Sequence, residues 1–269
     1  MVDALIFGLC TLVGVGGTAA NLRVAWRRRH EEDYGVSRWA RASAFGVCTL
    51  GAALAIPALA HIVESVSGIH NLAKLGAHLC GVAWCCSLQI MVIDWAYEQW
   101  AVPTHAGYRV FLACGVTAAL IPLFIVASDD TPDIEYTTAF AGNHTVHSYL
   151  LVYLSYVAVT CAELVFLCLK AGAINRRAGR SRQACGLTMS AVAALFGIAY
   201  SLSKGSYLIT FSMGRPWSLA VEEVLSPVLA GVSAILLVIG LTTSATALRR
   251  QPTYEEPRRE AARVGAAAE

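Results

Sequence analysis

Seven long apolar stretches joined by short connections constrain this 269-residue chain more than any other feature of its sequence. They cover approximately 3–25, 40–64, 71–97, 108–128, 146–172, 184–212 and 217–247. A helix crossing a bilayer core needs about 20 consecutive apolar residues. With no water to satisfy free N–H and C=O groups, a helix is the element that can span alone. The connections leave no room for a separate soluble domain. The expected fold is an all-α, seven-transmembrane helix bundle over 1–248, followed by a polar, proline-broken tail over 249–269. Only 14% of residues are charged and the mean hydropathy is +0.57. A water-soluble chain carries about a quarter charged residues, so the partner to expect is a lipid bilayer, and no nucleic acid. The first apolar run lacks a basic leader and a cleavage site, and reads as the first helix.

Orientation follows from Lys and Arg. On this reading 17 of the 20 basic residues fall in the connections between helices 1 and 2, 3 and 4, and 5 and 6, or in the tail. Arg109 is counted there. Lys74, Lys204 and Arg215 are the three at the opposite end. The positive-inside rule makes the basic side cytoplasmic and puts the N-terminus outside. The expected location is the plasma membrane. Arg outnumbers Lys 17 to 3, as in a GC-rich bacterial gene.

Polar groups inside such a bundle are the candidate functional residues, because a charge at a helix centre costs about 2.5–3.5 kcal/mol on insertion scales. Several share helix faces at spacings of three and four. Helix 3 aligns Asn71, Lys74, His78 and Cys85; helix 5 aligns Tyr149, Tyr153, Tyr156, Thr160 and Glu163. Helix 6 aligns Tyr200, Ser203, Lys204, Tyr207 and Phe211; helix 7 carries Ser218, Glu222, Glu223 and Ser226 before Pro227. Pro57, His61 and Glu64 end helix 2. Most of these lie in the outer half, which predicts a polar, aromatic cavity open toward the outer leaflet. The plainer alternative is an interfacial Tyr/Trp belt for Tyr149 and Trp217, with Lys74 snorkelling. Lys204, about eight residues inside helix 6, is best held by a helix 7 glutamate across the hairpin. Pro227 removes the bond that would satisfy the Glu223 carbonyl and predicts a kink. Asp94 and Glu98 read as interfacial.

Two patterns carry less. Asp129-Asp130-Thr131-Pro132-Asp133 has a magnesium–diphosphate spacing, but Pro132 disfavours helix through Thr131, and no second metal motif accompanies it. Asp130 remains a candidate at the cavity rim. The nine cysteines lie in or beside apolar segments without any C-x-x-C, so they read as small hydrophobes and no metal site is expected. Asn143-His144-Thr145 matches a glycosylation sequon that means nothing in a bacterial protein.

Three stretches, Gly68-Ile69-His70-Asn71-Leu72-Ala73, Tyr200 through Tyr207, and Glu223-Val224-Leu225-Ser226, resemble an actinobacterial family of multi-pass membrane proteins labelled putative transporters. Members of that family continue into a longer cytoplasmic part. In size, topology and acid-plus-aromatic content the chain is also similar to integral-membrane terpene cyclases, including those of drimentine-type pathways that act on farnesylated indole diketopiperazines. That second likeness implies a metal-independent, cofactor-free cyclisation of a hydrophobic prenylated small molecule, started by a proton. A neutral carboxylic acid would donate that proton and aromatic faces would hold the cation. The acids expected to act are Glu223, foremost, with Glu222, Glu64 and Asp130. The substrate would lie against Asn71, His78, Trp84, Tyr153, Tyr156, Tyr200, Lys204, Tyr207 and Trp217. The alternatives are a small-molecule transporter or a membrane sensor. A retinal protein would need a lysine on the last helix, where there is none.

Overall fold

The computed structural model describes residues 2–30, 35–130 and 137–247, and of 2–6, 9, 128–130 and 245–247 the backbone alone. The tail over 249–269 lies outside the described residues. The chain folds as α1 (Val2–Arg27), α2 (Gly35–Leu54), α3 (Pro57–Ser67), α4 (Leu72–Ala96), α5 (Val102–Asp130), a 3₁₀ turn (Thr138–Phe140), α6 (His144–Arg177), α7 (Ser181–Ser212) and α8 (Leu219–Ala247). Among the described residues every regular element is helical. Five helices, α4 to α8, are long and apolar enough to cross a membrane, or six spans if the bent α2–α3 pair counts as one. This is an all-α membrane protein. At 26 residues α1 is about 39 Å long, enough to span, though it is not among those five.

The stretch expected as one helix over 40–64 is broken. α2 and α3 meet at 83°, and the cause is Pro57, which opens α3. Proline has no N–H to continue the ladder and pushes the residue before it out of the helical region. Ile56 accordingly takes φ −75° and ψ 121°. Pro227 behaves differently, because α8 runs through it as one continuous helix.

Helix ends are set by local chemistry. The Asn143 side-chain oxygen accepts from the N–H groups of Thr145 (2.9 Å) and Val146 (3.1 Å), so the sequon asparagine is an N-cap. Gly179 and Gly214, at φ 74° and 70°, close α6 and α7. In each case the next residue donates back five positions, Arg180 to Asn175 and Arg215 to Thr210, as a Schellman turn requires.

The most extensive interfaces join α7 with α8, α6 with α7, and α2 with α4. Small residues allow this. A Cβ at Gly186 would lie 2.6 Å from the Gly240 carbonyl, and one at Gly240 would lie 2.7 Å from the Gly186 carbonyl. Backbones approach this closely in membranes because nothing but packing holds apolar helices together there. Large apolar side chains such as Phe111, Phe166 and Leu12 face outward at 80%, 64% and 74% exposure, as lipid-facing residues do.

Candidate functional site

α4 and α6 run in the same direction, so their polar residues meet rung by rung. At the end where α7 joins α8, His78 Nδ1 shares a 2.8 Å hydrogen bond with the Tyr149 hydroxyl, and its ring lies 4.6 Å from that of Tyr153. One turn on, Gly81 leaves room for the Tyr153 hydroxyl, which a Cβ there would approach to 2.5 Å. The buried Tyr156 donates its hydroxyl to the Val82 carbonyl at 3.5 Å. Toward the opposite, basic end, the Glu163 carboxylate takes Gln89 Nε2 at 2.6 Å, Arg109 Nε at 3.0 Å and also Arg109 Nη2. From Tyr149 to Glu163 the seam covers 14 residues of helix, about 21 Å, most of a bilayer core.

The second cluster joins α7, α8 and the 3₁₀ turn. Glu222 is wholly buried. Its carboxylate accepts from Thr138 Oγ1 at 2.7 Å and from Ser226 Oγ, one turn further along α8, at 2.6 Å. Lys204 Nζ stands 3.6 Å away and 6.0 Å from the centre of the Tyr200 ring. The buried Tyr207, one turn beyond Lys204, packs edge-on against Trp217 with ring centres 5.7 Å apart. The lysine on α7 is thus held by a glutamate across the hairpin on α8, as the sequence argument expected, and that glutamate is Glu222. Glu223, 100° further round the helix, has an exposed side chain.

The other expected residues are dispersed. Glu64 Oε1 accepts the Asn71 backbone N–H at 2.9 Å, and Oε2 lies 3.6 Å from His70, so this acid fastens the α3–α4 turn. Asn71 there has φ 57°, a left-handed conformation that asparagine tolerates better than most residues. Trp84 is half-buried against the core of α4. Asp130 ends α5, and its side chain lies outside the described residues.

Two residues expected at helix ends have defined partners. Asp94, two residues from the end of α4, is 8% exposed, with Oδ2 accepting the Ser37 N–H at 2.8 Å in the first turn of α2. A carboxylate satisfies free N–H groups there and meets the positive end of the helix. Arg109 lies inside α5 and is bound to Glu163, so it is not a connection residue. Sequence reasoning also missed Thr138 and Gln89. Gln89 continues the stripe of His78, Val82 and Cys85, and extending that period would have found it. Nothing at sequence level announces Thr138, which reaches Glu222 from a loop 84 residues away.

No protein family, curated protein or solved structure matches this chain.

Proposed function

We propose that this chain is a seven-span protein of the plasma membrane, N-terminus outside and C-terminus in the cytoplasm, and that it carries a small molecule across the bilayer. The basic-residue asymmetry supports the orientation. One observation carries the transport reading: two ion pairs at different depths of one bundle, the half-buried Arg109–Glu163 and Lys204 with the buried Glu222, and a seam of hydroxyls and an imidazole between the levels. Intramembrane ionisable groups are costly and mark substrate or ion routes. The reading accords with the transporter family that three short stretches resemble.

Proton-initiated cyclisation of a prenylated substrate is the second reading, favoured by the aromatic rings of Tyr200, Tyr207 and Trp217 around a buried acid. It ranks lower because a cyclase needs an acid that donates. Glu222 accepts from two hydroxyls and faces an ammonium, and Glu223 points away.

One preparation separates the two. Right-side-out vesicles with and without the protein are given an isotope-labelled bacterial metabolite extract, and uptake is read by mass spectrometry. The carrier reading expects at least one solute accumulated by wild type and lost in Glu222→Gln. Identical uptake by wild-type and empty vesicles sinks it. Conversion of a farnesylated indole to an isomer of equal mass, unaffected by chelator, would establish the cyclase instead. Reporter fusions at the C-terminus and in the 129–144 connection test the topology, with cytoplasmic and external signals expected respectively.

A further inference from the structure

At the basic end, α4, α6, α7 and α8 leave a cavity of ≈ 290 Å³ lined by no residue of either ion pair. Lys170, Asn175, Arg180 and Ser244 give it polar walls, while Trp95 and Leu187 give it an apolar side. That volume suits a small anionic head group and not a whole lipid or cofactor.

Four features share this cavity. Lys170 and Arg180 are both basic, and neither has an ion-pair partner among the described residues. Arg180 Nε is buried and makes no hydrogen bond, which is costly for a charged donor. Arg180 is also the N-cap of α7, which brings the positive end of that helix's dipole to the cavity wall. The wall also holds one carboxylate, Glu98, which accepts Trp100 Nε1 at 2.6 Å and keeps its charge, so the two basic groups outnumber it by one. The dipole of a helix favours an anion at its N-terminus. Arginine adds a planar fork and lysine a point charge.

We infer that this cavity binds a phosphate group through Arg180, Lys170 and the N-terminus of α7. Two sources fit the chemistry: an acidic phospholipid of the adjoining leaflet, whose chains would follow the Trp95 and Leu187 side, and a soluble phosphate. Basic pockets between helices at this level hold phospholipid head groups in membrane proteins generally. The site does not depend on what the protein carries or catalyses.

The test uses the full chain in phosphatidylcholine nanodiscs, reading thermal unfolding as phosphatidylglycerol is doped in or inorganic phosphate is added. Stabilisation by phosphatidylglycerol alone assigns the site to lipid, and stabilisation by inorganic phosphate assigns it to a soluble anion. Arg180→Gln and Lys170→Gln should each raise the half-saturating concentration about fivefold, the worth of one basic contact. The exposed Arg176, in the last turn of α6 and outside the cavity, is the control for bulk charge. The inference is overturned if neither anion stabilises the wild type. An equal effect of Arg176→Gln and the cavity variants overturns it too. Should Arg180→Gln fail to fold, Lys170→Gln decides, because that side chain is exposed and its loss leaves the packing intact.

Discussion

The two ion pairs inside the bundle look alike in the sequence and differ in construction. Around Glu163 the charge itself supplies the contacts: Arg109 reaches the carboxylate with two nitrogens and Gln89 adds a third donor. Around Glu222 the short contacts come from neutral hydroxyls at 2.6 and 2.7 Å, and the ammonium stands back at 3.6 Å. The first is a clamp between α4, α5 and α6 that loses its partners together. The second is a carboxylate already satisfied without its counter-ion, so that Lys204 can be drawn away by a ligand at modest cost. A buried pair is weak evidence for stability and better evidence for function where one partner is free to exchange.

Substitutions can break this comparison, read as unfolding free energy in detergent. Glu163→Ala should be the most damaging, by about 3–5 kcal/mol, because it strands the buried Gln89 amide together with the half-buried Arg109 guanidinium. A loss below about 1 kcal/mol would show that water reaches this end of the bundle and that the clamp is an ordinary wet pair. Lys204→Met comes next at about 1–2 kcal/mol, since the two hydroxyls still hold Glu222. If it equals Glu163→Ala, the contrast drawn between the clusters is wrong.

Thr138→Val should cost about 1 kcal/mol, the net worth of one hydrogen bond. It should also couple to Ser226→Ala in a double-mutant cycle, and purely additive losses would separate the two hydroxyls. Glu223→Gln should be the mildest, within about 0.5 kcal/mol, as for any exposed site. A larger effect would mean that this side chain and not Glu222 turns inward.

How far the site was legible follows from particular residues. The stripe of Tyr149, Tyr153, Tyr156 and Glu163 was readable because a 3.6-residue period places them on one face. Its partners on α4 are in register because the helices run the same way, which turn counting also gives. The break before Pro57 was written in the sequence but hidden by hydropathy, since Ala53, Leu54, Ala55 and Ile56 before it and Ala58, Leu59 and Ala60 after it are all apolar. The partner of Asp94 was not legible, because a carboxylate near a helix end is commonly solvated. Its acceptor role needed the start of α2, 57 residues earlier, to arrive beside it.

From sequence alone come the helical class, the membrane as solvent, the basic end and the polar stripes, because each depends only on composition or on local helical period. Which of Glu222 and Glu223 is buried was decided by tertiary structure. Adjacent residues differ by 100° of rotation, and in a membrane helix the lipid-facing side is as apolar as the packed one. No amphipathic pattern therefore says which side turns inward. The answer came from Gly186 and Gly240 seating α8 on α7, and from Thr138 closing over the carboxylate those helices bury.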